Sequence, residues 1–255
     1  MTLTKELEAD YVRLWKTCSL RAGTPERAAP ICRAIVEHAA TYKRIVQGSS
    51  LPWYFLGCLH HMETGGSFEK HLHNGDSLKH RTVQVPRGRP VHGVPPFTFE
   101  DSARDALNMH DLLRTDVFTP TMLMYEAERY NGFGYRQHNP QVLSPYLWAG
   151  TNHYTQGKYT SDGKFDPRAV SKQIGVCALL LCLSQHDTDA APTPQVLPAR
   201  VVYSRAYSKD AEAVQTFLNM RFACGLKVDG IAGNATSDAF QTVFGVRLLN
   251  DPRNI

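Results

Sequence analysis

Apolar residues recur at helical spacing along most of the first 185 positions. The opening "MTLTKELEADYVRLW" (1–15) mixes acids, bases and apolar residues with that period, and "SLPWYFLGCLHHME" sets Leu56, Leu59 and Glu63 on one face at i, i+3 and i+7. Ser50 opens this second segment, Pro52 suits a first turn, and Gly65-Gly66 end it. "FTFEDSARDALNMHDLLR" predicts a helix with Thr98 and Asp101 as a capping pair. "TPTMLMYEAERY" predicts another that starts at Thr119-Pro120 and stops at Asn131-Gly132. "IGVCALLLCL" (174–183) is almost wholly apolar but falls well short of the ~20 residues that cross a bilayer, so it reads as a buried core helix. Strand patterning is scarce. In "NGDSLKHRTVQVP" an Asn74-Gly75 turn precedes the alternation Thr82, Val83, Gln84, Val85, which predicts a small β-hairpin in a helical setting. The pattern predicts a mainly α fold of the α+β kind.

The pattern breaks at "SQHDTDAAPTPQVLPAR" (184–200), which carries three prolines and neither helical nor strand period. A large domain over 1–185, a linker over 186–199 and a small domain over 200–255 are expected, the last near the lower size limit for independent folding. With 255 residues, 42% of them hydrophobic, the chain can bury a substantial core. A formal charge of +4 gives mild attraction to anionic surfaces and names no partner by itself. The first 15 residues lack the basic start and apolar run of a secretory signal, so synthesis in a bacterial cytoplasm is expected. Six cysteines, far apart or inside apolar runs and without a CxxC, read as buried free thiols.

Glu63 carries the first candidate chemistry. It falls at the C-terminal end of its helix, where the macrodipole is negative, and shares a face with Leu56 and Leu59; both conditions favour a protonated carboxyl. A protonated carboxyl in a cleft is what a glycosidase needs to protonate a leaving glycosidic oxygen. The alternative is a solvated helix-end glutamate.

Asp76 and Thr82 follow, separated by five residues across the expected hairpin. A glutamate ending a helix, then Asp-x5-Thr on a hairpin, resembles the Glu/Asp/Thr arrangement of phage-type lysozymes. The resemblance implies Glu63 as acid, Asp76 as base or electrostatic partner and Thr82 as the hydroxyl that positions water; Asp76 also reads as a turn-capping residue after Asn-Gly. "ERYNGFGYR" (128–136) contains Tyr130-Asn131, similar to the Tyr-Asn motif of lytic transglycosylases and goose-type lysozymes, while the Gly-Leu-Met-Gln segment of those enzymes is missing. That similarity implies sugar contacts at Tyr130 and Asn131, with Tyr135 beside them; Asn131 reads equally as a helix C-cap. "SPYLWAGTNHYTQGKY" (144–159) adds Tyr146, Trp148 and Tyr154 interleaved with Asn152, Gln156 and Lys158, as cleft candidates or as a satellite of the core.

The small domain carries the most specific motif. "AVQTFLNMRFACGLKVDGIAGNATSDAFQTVFG" (213–245) resembles the three-helix peptidoglycan-binding domain, with Val228, Asp229, Gly230, Ile231, Gly233, Thr236, Ala239 and Phe240 in place. Glycines that permit the tight loop, and Thr236 that can start the next helix, are needed by the fold alone. The two resemblances together imply a lysozyme-like catalytic domain joined to a wall-binding domain. The implied protein is a monomeric endolysin of a phage or prophage, without cofactor or metal. It would cleave the β-1,4 bond between N-acetylmuramic acid and N-acetylglucosamine in peptidoglycan, and neither nucleic acid nor membrane is an expected partner.

Three alternatives stay open: a lytic transglycosylase that leaves anhydro ends, a zinc peptidase or amidase, and a wall-binding protein with no catalysis. The zinc reading rests on His60, His61, His71, His73, His80 and His92 around Glu63 and Asp76. Against it, His-Glu-x-x-His is absent, and adjacent histidines on a helix point about 100° apart.

Overall fold

A computed structural model describes residues 1–115, 118–161, 163–186, 201–222, 224–244 and 246–254. The chain divides into two units, Met1–Thr193 and Pro194–Ile255. Residues 187–199 of the expected linker lie outside the described residues.

In the first unit the capping residues set the helix starts. Thr4 accepts the Leu7 amide at the start of α1 (Lys5–Lys16), and α2 (Thr24–Glu37) and α3 (Ala39–Ile45) follow with His38 between them. Thr98 caps α5 (Phe99–Met109): its hydroxyl accepts the Asp101 amide and donates to the Asp101 carboxylate, as the sequence predicts. Thr119 caps α6 (Pro120–Asn131) with Pro120 in the first turn, again as predicted. Two short helices, α7 (Gly134–His138) and α8 (Pro145–Trp148), lead to a two-stranded antiparallel sheet, β1 (Lys158–Ser161) with β2 (Lys164–Asp166), and then to α9 (Val176–His186).

The core lies around α9 and α4 (Trp53–Thr64). Every residue of α4 from Trp53 to His60 is buried, as is α9 from Val176 to Leu180, so both helices are enclosed all round instead of presenting one apolar stripe. α9 packs against α2, α4, α6 and α8. A methyl group added at Gly57 would sit 2.5 Å from Ile35 Cγ2, so α4 passes α2 at a separation that only glycine permits. Glu128 of α6, 2% exposed, accepts Tyr11 Oη at 2.5 Å and Arg136 Nε at 2.7 Å and so ties α1 and α7 to α6. All six cysteines are free thiols, four of them buried. Among the described residues no helix is long and apolar enough to cross a membrane.

Two expectations for this unit are corrected. α4 starts at Trp53 with Pro52 in the cap position, so Ser50 does not open it. The expected hairpin at 74–85 is not a pair of strands. The Asn74-Gly75 turn is closed by a single bridge between Lys70 and Ser77, but Thr82 to Val85 pair with nothing in a ladder. Thr82 bonds within its own loop instead, and Pro86, Pro90, Pro95 and Pro96 have no amide to donate.

The second unit holds α10 (Lys209–Phe222) and α11 (Asn234–Phe244), packed through Val214, Leu218, Phe240 and Leu248, with bridges Val202 to Leu249 and Tyr207 to Ile231. Where three helices are expected, the described residues form two. α11 begins at Asn234, two residues ahead of Thr236.

Candidate functional site

Glu63 is the penultimate residue of α4. Gly65 and Gly66, at φ +69° and +83°, return their amides to the carbonyls of His61 and His60 and end the helix where the sequence places its stop. The side chain is only partly exposed and leaves α4 toward α8, where Tyr146 Oη donates to Glu63 Oε1 at 2.7 Å. Burial pushes this carboxyl up from an ordinary value of 4.5 to about 7, against the opposing effect of the Tyr146 bond. Oε2 has no hydrogen-bond partner among the described residues. Tyr146 and Tyr130 are both held well above the normal phenol range, first by burial and then by the nearby Glu63. Glu63 therefore holds a transferable proton near neutral pH, and two neutral phenols surround it.

Tyr146 also lines a cleft of about 640 Å³ with Asn131, Gly132, Gly134, Tyr135, Pro145, Lys158, Tyr159, Val170, Ser171, Lys172 and Gln173. Three predicted sugar-contact residues, Asn131, Tyr135 and Tyr146, thus meet in one concavity; Glu63 is not among its lining residues and is linked to it through Tyr146. Tyr135 is oriented by its hydroxyl, which accepts the Tyr159 amide at 3.1 Å. Tyr130 is not on the cleft wall: it stacks on His110 at 4.3 Å, and its hydroxyl donates to the Leu72 carbonyl. Trp148 is completely buried, edge-on to His153, and has no face for a sugar; the satellite-of-the-core alternative holds for it. Tyr154 is likewise buried, its hydroxyl bonded to Gly157 and Ser171.

Lys158, a cleft candidate from the sequence, lines the cavity, whereas Tyr159, Lys172 and Gln173 are absent from the sequence-based set. A signal for part of them exists. Asp162-Gly163 stands between Lys158-Tyr159 and Phe165, the dipeptide and alternation of a hairpin. Gly163 has φ +69°, and the register pairs Lys158 with Asp166 and Tyr159 with Phe165; Asp162 itself lies outside the described residues.

Asp76 and Thr82 take loop-building positions. Asp76 Oδ2 accepts Val83 N at 2.8 Å, Gln84 N at 3.1 Å and Asn74 Nδ2 at 3.1 Å. Burial raises this carboxyl, but the amides of Gln84 and Val83 and the Asn74 side chain outweigh it, so it is lowered and ionised at neutral pH. Its turn lies against the end of α4: a Cβ at Gly75 would stand 3.0 Å from the Glu63 carbonyl oxygen. Thr82 is 2% exposed, donates to the Pro86 carbonyl at 2.5 Å and accepts Arg89 N at 2.9 Å, so both roles of its hydroxyl serve the loop.

The histidines are occupied separately. His60, fully buried, uses Nδ1 with Tyr42 Oη and Nε2 with the Ser67 carbonyl, and burial lowers it to about 4. His71 bonds Ser102 Oγ and the His80 carbonyl, while His73 pairs with Asp105, which also holds Arg89. His80 and His92 are exposed, and His61 is partly buried. Among the described residues no group of three or more His, Cys, Asp or Glu side chains is arranged to hold a metal ion.

In the second unit the motif residues build a loop around Gln215. Its Oε1 accepts the amides of Asp229 and Gly230, and its Nε2 reaches Asp229 Oδ1, the Ile231 carbonyl and Thr236 Oγ1. Gly230 sits at φ +70° with the Tyr207 ring so close that a Cβ would approach to 2.6 Å. A Cβ at Gly233 would meet only the Ile231 side chain, at 3.9 Å. Asp229, Gly230 and Thr236 therefore shape the loop.

No protein-family model matches the chain, and comparisons with curated proteins and with solved structures return no match.

Proposed function

We propose that the chain is a peptidoglycan glycosidase. It cleaves the β-1,4 bond between N-acetylmuramic acid and N-acetylglucosamine, with Glu63 as general acid. The observation that carries this reading is the Glu63 carboxyl, pushed up to about 7 and bonded to Tyr146, which lines a cleft with Tyr135 and Tyr159. Glu63 gives its proton to the leaving glycosidic oxygen as the C1–O bond breaks. In the hydrolytic form, water attacks C1 from the opposite face and the ionised Asp76 takes its proton, which inverts the anomeric configuration. The second unit holds the enzyme on the wall through its resemblance to the peptidoglycan-binding domain, and a phage or prophage endolysin is the setting that fits.

One observation favours a second reading of the product. Both roles of the Thr82 hydroxyl serve its loop and Asp76 Oδ2 takes three donors, which leaves only Asp76 Oδ1 for a water and weighs against the water-holding pair that the lysozyme resemblance implies. If the substrate's own hydroxyl attacks C1 and gives its proton to the Glu63 carboxylate left by the first transfer, no positioned water is needed and anhydro ends result. Asp76→Asn separates the two: a large rate loss marks hydrolysis, and near-full activity marks the anhydro route. The glycosidase reading itself is tested by clearing of purified wall suspensions. The unmodified protein should clear them, and soluble Glu63→Gln protein should not.

A further inference from the structure

The cleft lined by Tyr146, the hydrogen-bond partner of Glu63, contains a charge pattern that neutral sugar rings do not require. Lys158 and Lys172 both line it, and no carboxylate does. Neither lysine forms an ion pair among the described residues. Asp166, the cross-strand partner of Lys158 in the β1–β2 register, accepts the Arg168 amide at 2.8 Å and forms no ion pair with Lys158. Lys172 is exposed, but its backbone is fixed: its carbonyl accepts Arg27 Nη2 at 2.5 Å, and the next amide, Gln173 N, bonds Ser171 Oγ. Both lysines thus line, from bonded backbone, a cavity that Tyr135, Tyr146 and Tyr159 also line.

A glycan of N-acetylglucosamine alone is uncharged. Muramic acid differs by its lactyl ether, which ends in a carboxylate when bare and in a peptide with its own carboxylates when substituted. We propose that Lys158 and Lys172 form a subsite for carboxylates pendant on the muramyl residues, so that the cleft selects muramyl-containing glycan over neutral N-acetylglucosamine chains. The inference rests on the glycosidase reading of Glu63 and adds substrate selection to it. Charge-assisted hydrogen bonds from two ammonium groups are the interaction that distinguishes the substrates.

The test is equilibrium binding by calorimetry to full-length Glu63→Gln protein, with and without the pair Lys158→Gln and Lys172→Gln. Three soluble ligands of equal sugar length are used: peptide-bearing muramyl fragments, amidase-stripped fragments with bare lactyl groups, and N-acetylglucosamine oligomers. The double substitution should weaken binding of the muramyl fragments by roughly tenfold or more, and leave the neutral oligomers unchanged. Loss only for the bare-lactyl ligand assigns the lactyl carboxylate, loss only for the peptide-bearing one assigns the peptide carboxylates, and loss for both assigns a subsite that takes either. Restoring charge with Lys158→Arg and Lys172→Arg should recover much of the affinity. Equal weakening for all three ligands, or no weakening for any, overturns the proposal. Lysine-dependent binding to a protein whose unmodified form cleaves no glycan would instead overturn the glycosidase reading alone.

Discussion

Replacing Glu63 by Gln should stabilise the first unit, and by an amount that depends on pH. The carboxyl lies at about 7 in the folded protein against 4.5 when exposed. Below pH 4.5 the folded and unfolded chains both keep the proton, and Gln differs from the neutral acid only in shape and hydrogen bonding. Its amide oxygen can still accept from Tyr146 Oη. Between pH 4.5 and 7 the unfolded chain releases the proton first, so the stability of the unmodified protein falls; above 7 the folded form ionises too and the loss levels off. At about 1.4 kcal/mol per pH unit of that gap, the stability lost by pH 8 is about 3 kcal/mol. Glu63→Gln does not incur this loss. Urea unfolding followed by tryptophan fluorescence reads the first unit alone, because Trp15, Trp53 and Trp148 all belong to it. The variant's advantage should grow by about 3 kcal/mol from pH 4 to pH 8. An advantage equal at both pH values would refute a carboxyl held neutral by burial.

Three further outcomes are expected. Tyr146→Phe removes the hydrogen bond that opposes burial at Glu63, so the fall in wall-lytic kcat/KM with rising pH should move to higher pH; an unmoved or lower limb would contradict the assigned contact. Glu128→Ala leaves Arg136 and Tyr11 without their buried acceptor and should destabilise the first unit by about 3–5 kcal/mol in the same urea assay. Deleting residues 199–255 should weaken retention on purified wall while leaving cleavage of short soluble glycans, as the proposed division between wall binding and chemistry requires.

The parts of this molecule legible in its sequence are those governed by local rules. The Thr98 and Thr119 caps, the Gly65-Gly66 stop and the free cysteines depend on neighbours a few residues away or on composition, and each is where the pattern puts it. Glu63 could be singled out because its position at a helix end and its apolar face are both local facts. Its partner is not local: Tyr146 lies 83 residues further along, and only the packing of α8 beside α4 brings the two together. The alternation at Thr82 to Val85 misled because a threonine hydroxyl and four prolines replaced ladder bonds with loop bonds. Trp148 and Tyr146 are two residues apart in one aromatic segment, yet one is core and the other reaches the cleft; aromatic composition carries no information on that difference. In the second unit the motif was visible, but the hub of its loop, Gln215, sits on the preceding helix and is identified only by the bonds that converge on it.

The central claim is that Glu63 donates the proton that breaks a glycosidic bond in peptidoglycan. The most direct measurement is mass spectrometry of the soluble products released from purified wall by the unmodified protein and by Glu63→Gln protein shown to be folded by the urea assay. Muramyl-ended fragments are expected from the unmodified protein and none above background from the variant, with the presence or loss of one water at the muramyl end reporting hydrolysis or anhydro formation. Release of the same fragments at the same rate by the folded variant, or release of peptides with the glycan strands intact, would contradict the claim.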